Sequence, residues 1–144
     1  MLELGCGEYS TPMLASVAAA QSRKLTVVSS DSNWLAKYSY LESPDCELCL
    51  IERKEWPRVD LEGDWGFVLL DNEQTVNDRF RLLKKLAHSA RLVVFHDANV
   101  LEESGRSWQP ISRLFRYIYV DRRREPSTAV VSNDVDPSVW LPKK

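Results

Sequence analysis

With 144 residues, 44% of them hydrophobic, the chain is long enough for one domain with a buried core and too short for two. A formal charge of −2 at pH 7 argues against a protein built to grip a phosphate backbone, so no nucleic-acid partner is expected. No apolar run approaches the roughly 20 residues of a membrane span, and an odd count of three cysteines without a secretory segment points to a soluble protein of a reducing, cytoplasmic compartment.

The chain alternates strand and helix, the pattern of a parallel sheet covered on its faces. Leu2 to Leu4 reads as a first strand, broken by Gly5 and Gly7. A helix is expected from Ser10 to Gln21, capped by Ser10 or Thr11, with Pro12 in its first turn and Met13, Leu14, Val17 and Ala18 as its apolar face. Leu25-Thr26-Val27-Val28 is a second strand ending at Ser29-Ser30-Asp31. Asn33 to Leu41 can form a short helix, and Glu47 to Ile51 a third strand. The link from Glu52 to Asp64, with Pro57, reads as a loop holding at most a fragment of helix. Trp65 to Leu70 is nearly all apolar, as suits a strand buried on both faces, and stops at Asp71.

The clearest helix follows, with Thr75 as cap, Asp78 three residues on, and Val76, Phe80, Leu83, Leu86 and Ala87 on one face. Arg91 to Phe95 repeats the plan of an apolar strand, ending in His96-Asp97. After a loop carrying Gly105, Pro110 opens a short helix through Leu114 or Phe115. Tyr117 to Val120 and Thr128 to Val131 then read as two strands joined by Asp121 to Ser127. Alternation with helices stops here, so these strands should pair antiparallel at one edge. The domain covers 1–136, and the tail 137–144 should be loose unless Trp140 docks it.

Ligands of open α/β sheets bind beyond the carboxyl ends of the strands. Those ends carry Gly5 to Gly7, Asp31, Glu52, Asp71 and Asp97. Two glycines permit a tight turn and a close approach of ligand to backbone, and Asp31 follows Gly7 near the spacing at which an acid accepts ribose hydroxyls. Asp31 can equally cap the turn beginning at Ser32. A dinucleotide fits less well, because Ser10 stands where a third glycine belongs and Glu8 would repel a pyrophosphate. His96 is either a base or metal ligand near pH 7 or a locally satisfied strand-end histidine. Cys46 and Cys49 lack a second pair to complete a zinc site and read as core, and Arg122-Arg123-Arg124 reads as a solvated hairpin tip.

Glu3-Leu4-Gly5-Cys6-Gly7 resembles the first motif of class I S-adenosylmethionine-dependent methyltransferases. Phe67 to Asp71 and Val93 to Asp97 resemble, more narrowly, the small-molecule O-methyltransferases of catechol and sugar-hydroxyl type, as does Tyr117 to Asp121 with Arg122 and Arg123. The resemblance implies a three-layer Rossmann-like sandwich, mostly parallel with an antiparallel edge pair at the C-terminus. It implies that Glu3, Gly5, Cys6, Gly7, Ser10, Asp31, Ser32 and Asp71 hold S-adenosylmethionine, and that Asp71, His96 and Asp97 face a small-molecule acceptor. It also implies a divalent ion, Mg²⁺, on Asp71 and Asp97, joined by Asn99 if the intervening Ala98 leaves it in reach. Without the ion, one acid would contact the cofactor and the other cap a loop. The family places helices ahead of its first motif to cover the cofactor. Here the motif begins at Glu3, so a second copy or a partner is expected to cover the crevice. That same feature favours the alternative of a catalytically silent cofactor-binding or assembly module.

Overall fold

Short β-branched and leucine-rich runs build a sheet whose strands, among the described residues, are three to five residues long. The computed structural model describes residues 1–73, 75–103 and 108–140. In chain order the elements are β1 (Leu2–Leu4), α1 (Ser10–Ala20), β2 (Leu25–Ser29), α2 (Ser32–Lys37), β3 (Cys46–Leu50), β4 (Val68–Leu70), α3 (Val76–Ser89), β5 (Val93–Phe95), α4 (Asn99–Glu103), α5 (Gln109–Ser112), β6 (Tyr117–Asp121) and β7 (Thr128–Ser132). The spatial order is β3-β2-β1-β4-β5-β7-β6. The first five strands run parallel, and β7 is antiparallel to both its neighbours. The sheet is thus the expected Rossmann-like one, with the reversed pair at the C-terminal end.

Two helical layers sandwich the sheet. One face carries Leu2, Leu4, Val68, Leu70, Val93, Phe95, Ala129 and Val131, packed with Leu82, Leu83 and Leu86 of α3 and Ile111 of α5. Leu14 and Ala18 of α1 and Leu35 of α2 cover Leu25, Val27 and Leu69 on the other. Burying a leucine of this kind contributes about 2 kcal/mol, so these two clusters are the main source of stability.

Several boundaries differ from expectation. β4 starts at Val68, not Trp65, and β5 at Val93, not Arg91, and the two pair over those three residues alone. Trp65 retains a single bridge to Ala90. In α1, the cap position is Tyr9, without a side-chain bond, and Met13 and Val17 are exposed while Thr11, Leu14 and Ala18 are buried. The reason is that both hydroxyls expected to cap are already committed: Ser10 Oγ donates to Glu3 Oε1 at 2.5 Å, and Thr11 Oγ1 accepts from the Gly7 N–H at 3.0 Å. Those bonds turn Thr11 inward and roll Met13 out.

The helix after Ser32 ends at Lys37 and gives way to a 3₁₀ turn over Ser39–Leu41. A second 3₁₀ helix, Arg53–Arg58, is the fragment foreseen between β3 and β4. Its capping box, with Glu52 N–H donating to Glu55 Oε2 at 2.9 Å, holds Trp56 in the core. α5 stops at Ser112, short of Leu114. The tail opens with a 3₁₀ turn whose Pro137 is buried, while Trp140 is exposed. Gly105 and residues 141–144 lie outside the described residues. The three cysteines are free thiols. No described helix is long and apolar enough to cross a membrane.

Candidate functional site

The register of the sheet sets the site. Leu4 pairs with Leu70, and Leu70 with Phe95, so β1, β4 and β5 end level with one another. Each pairing extends one step further: Gly5 N–H donates to Val28 O at 2.8 Å, Asp71 N–H to Leu4 O at 2.8 Å and His96 N–H to Leu70 O at 3.0 Å. Gly5, Asp71 and His96 therefore leave the sheet side by side, as ligand crevices of α/β sheets require. Gly5 has φ +103°, open only to glycine, and a Cβ there would lie 2.1 Å from Asp71 O. The turn at Gly5 is what lets the first loop lie flat on the fourth strand's end.

Glu3, expected at the cofactor, is wholly buried beneath the start of α1. Strand alternation causes this, since Leu2 and Leu4 take the α3 face and leave Glu3 on the α1 face. One oxygen accepts from Ser10, and Oε2 has no partner. Burial pushes its carboxyl up to about 7, against the hydrogen bond from Ser10 that pulls it down. Glu3 and Ser10 thus support the loop from below. Gly7 is required by the same contact, because a Cβ would meet Ser10 Oγ at 2.3 Å. Cys6 Sγ lies 3.4 Å from Thr11 Oγ1, and burial raises its thiol pKa.

Cys6 and Gly5 open onto a narrow crevice of about 60 Å³ walled also by Ser30, Asp31, Trp56, Asp71 and Asn72. Past Asp31 and Trp34 lies a wider hollow of about 360 Å³, reaching Asn33 and Lys37. Asp31 caps α2, its Oδ1 accepting from Asn33 and Trp34 N–H at 2.8 and 3.2 Å. Both readings of Asp31 converge in one place, because the cap fixes the carboxylate at the crevice mouth. Ser32 is exposed in the first turn of α2. Glu8, exposed, pairs with Lys37 at 3.1 Å, and Lys37 also lies 4.8 Å above the Trp34 ring.

At the other end of the crevice, Asp71, His96 and Asp97 come together. His96 Nδ1 is 3.3 Å from Asp71 Oδ1 and 3.1 Å from Asp97 Oδ1, in ion-pair range of both and out of line for a hydrogen bond to either. Asp97 holds a left-handed backbone, φ 54°, which turns its carboxylate back toward the imidazole. Asn99 begins α4, two residues past Asp97.

Three features here went unnoticed in the sequence. Arg79 of α3 is 6% exposed and lies under both strand-end loops. It donates to Asn72 O and to His96 O, the latter at 3.0 Å, stands 3.7 Å from Asp97 Oδ2, and lies over the Phe95 ring. A charged residue three after Val76 and four before Leu83, inside the apolar stripe, was the available signal. Asn72 is buried at the crevice with both side-chain polar atoms unpartnered. The β6–β7 hairpin, expected to be only solvated, walls a cavity of about 690 Å³ with His96.

The donor atoms of Asp71, His96 and Asp97 lie within 4.8 Å of one another. They do not suit Mg²⁺: an imidazole already stands between the two carboxylates, and the fixed charge of Arg79 adjoins Asp97. The donors and acceptors suit S-adenosylmethionine better: the orphaned Asn72 amide, the Gly5 turn and the Asp31 carboxylate line the narrow crevice, and the hollow of about 360 Å³ past Asp31 and Trp34 adjoins it.

No family model and no curated protein matches the sequence. Solved structures match the fold. A Thermoplasma acidophilum protein provisionally named a methyltransferase superposes with a TM-score of 0.61 at 14% identity, over 92% of this chain and 67% of its own. The N-terminal domain of EvdMO1, with S-adenosylhomocysteine (SAH) bound, gives 0.62 at 14% identity over 90% and 71%. A Staphylococcus aureus protein provisionally named a caffeoyl-CoA O-methyltransferase gives 0.58 at 12% identity over 91% and 74%. The chain spans 35% of the length of the WbdD structure it also matches. The fold is that of the class I methyltransferases.

Proposed function

We propose that this class I methyltransferase fold binds S-adenosylmethionine in the Gly5–Asp71 crevice and carries its methyl group to an oxygen of a small-molecule acceptor. One observation supports the reading above the others. The Asp71–His96 contact, 3.3 Å across, stands between the crevice at Gly5 and Asp31 and the larger cavity against the β6–β7 hairpin. A donor on one side and an acceptor on the other would meet at the imidazole.

When bound, S-adenosylmethionine supplies a methyl group already activated by its sulfonium. The chain's own work is then positioning and proton removal. Gly5 brings the first loop against the Asp71 backbone, Asp31 offers its second oxygen to ribose hydroxyls, and Asn72 offers an amide that otherwise stays unsatisfied. Asp71 and Asp97 crowd His96 Nδ1, which leaves Nε2 as the ring nitrogen open to the acceptor's hydroxyl proton. Arg79 holds the loops of Asn72 and His96 in register and balances Asp97, so it acts as a positioning residue.

Calorimetry tests the donor half: S-adenosylhomocysteine should bind and raise the melting temperature, whereas NAD should do neither. NAD binding without S-adenosyl binding would sink the reading. His96→Gln should keep S-adenosylhomocysteine affinity and lose about 10²-fold in transfer rate. Cofactor binding without turnover on any small hydroxyl acceptor would favour the silent binding module instead.

A further inference from the structure

The cavity beyond His96 has the volume of an ordinary small-molecule site, about 690 Å³. Its outer wall is the turn between β6 and β7, which brings Arg123, Arg124 and Glu125 to the same space as the imidazole. Ala98 N–H donates to Ser127 O at 2.8 Å, so the turn is tied to the loop that carries His96 and Asp97.

The two guanidinium groups are prepared differently. Arg123 is clamped along one edge by Asp121, with Nε 2.9 Å from Oδ1 and Nη2 2.5 Å from Oδ2. That clamp fixes the plane of the fork and leaves Nη1 with donors to spare. Arg124 makes no ion pair among the described residues. The chain as a whole carries −2, so general attraction of anions is not expected and any preference must come from this turn. Glu125 opposes it from the same wall, and Thr128 adds a hydroxyl.

We infer that this cavity receives an acidic acceptor: a small hydroxyl compound whose phosphate or carboxylate group is held by Arg123 and Arg124 while its hydroxyl reaches His96. The fate of that hydroxyl rests on the methyl-transfer reading, whereas the anion site rests on the turn alone. Carboxylate and phosphate share the chemistry of planar or tetrahedral oxygens accepting paired N–H donors, so probes must separate them.

The test is an NMR titration of the full chain, with S-adenosylhomocysteine present, using three probes on one skeleton: glycerol 3-phosphate, glycerate and neutral glycerol. At least one charged probe should shift the amide signals of residues 122–125 and the His96 ring, and bind about tenfold more tightly than glycerol. Which charged probe binds identifies the anion. Arg124→Gln, at an exposed position, should remove most of that preference, and Glu125→Gln should increase it. Equal binding of all three probes, or a preference untouched by Arg124→Gln, would overturn the inference. Charged probes that bind while S-adenosylhomocysteine does not would overturn methyl transfer and leave the anion pocket standing. S-adenosylhomocysteine binding without any charge preference would do the reverse.

Discussion

Glu3 is wholly buried, and its carboxyl is pushed up to about 7 from an ordinary 4.5 by desolvation. Below pH 4.5 the group is protonated in both states and contributes nothing. As pH rises toward 7 the unfolded chain ionises first and gains free energy that the folded chain cannot match, so stability falls through this window and levels off above it. Glu3→Gln removes the effect: between pH 4.5 and 8 the variant should gain roughly 3 kcal/mol on the wild type in urea unfolding. A difference constant with pH would show that Glu3 ionises freely. Arg79 provides the opposite case, a buried charge that is engaged. Arg79→Met strands the Asn72 and His96 carbonyls and should cost about 3 kcal/mol. Because that guanidinium supplies the positive charge beside Asp97, the proposed methyl transfer should be undiminished in chelator-treated wild type, and adding Mg²⁺ should change nothing. The residues at strand ends were legible in the sequence because an abrupt change from apolar run to acid marks them. Arg79 and Asn72 were not, because their roles depend on which loops the register brings together.

The β7 strand reaches its place between β5 and β6 through one residue just past its end. Asn133 Nδ2 donates to Ala87 O at the end of α3 and to Leu114 O after α5, both at 3.0 Å, and its Oδ1 accepts from Arg116 N–H at 2.8 Å. Three elements therefore share one side chain. Asn133→Ala should cost about 2 kcal/mol, read from the urea midpoint, and should increase hydrogen exchange in β6 and β7 before other strands. Unchanged exchange in this pair would assign the stability to Ser132, whose Oγ donates to Arg91 O at 2.6 Å. Element types and order followed from the alternation of apolar runs, and α3 was clear from its stripe. The roll of α1 was not, because it is set by Glu3 and Gly7 drawing Ser10 and Thr11 inward, contacts that periodicity does not encode. Nor did composition place the arginine turn beside His96, since only pairing of Phe95 with Ala129 brings it there.

Across the whole sheet, one cross-strand row faces the α1 side: Val27, Glu3, Leu69, Val94, Val130 and Tyr119. Its first three members are buried, under α1 and α2, whereas Val94, Val130 and Tyr119 are only half-buried. We propose that a second copy of this chain packs against these partly exposed positions beside the crevice. Sedimentation should show concentration-dependent dimers that Val130→Lys dissociates, and a monomer at every concentration, active on its acceptor, would refute this.

The order of the strands also governs when the site can exist. β1, near the first residue, is central and pairs with β2 and β4, while β7, near the last, closes β5. A chain still emerging and ended before β7 leaves β5 as a bare edge, with backbone groups offered to any other strand, the usual route to aggregation. Pairing of β7 with β5 sets Arg123 and Arg124 beside His96. The cavity beside His96 is therefore complete only once β7 is paired, and a chain cut before β7 would leave β5 open.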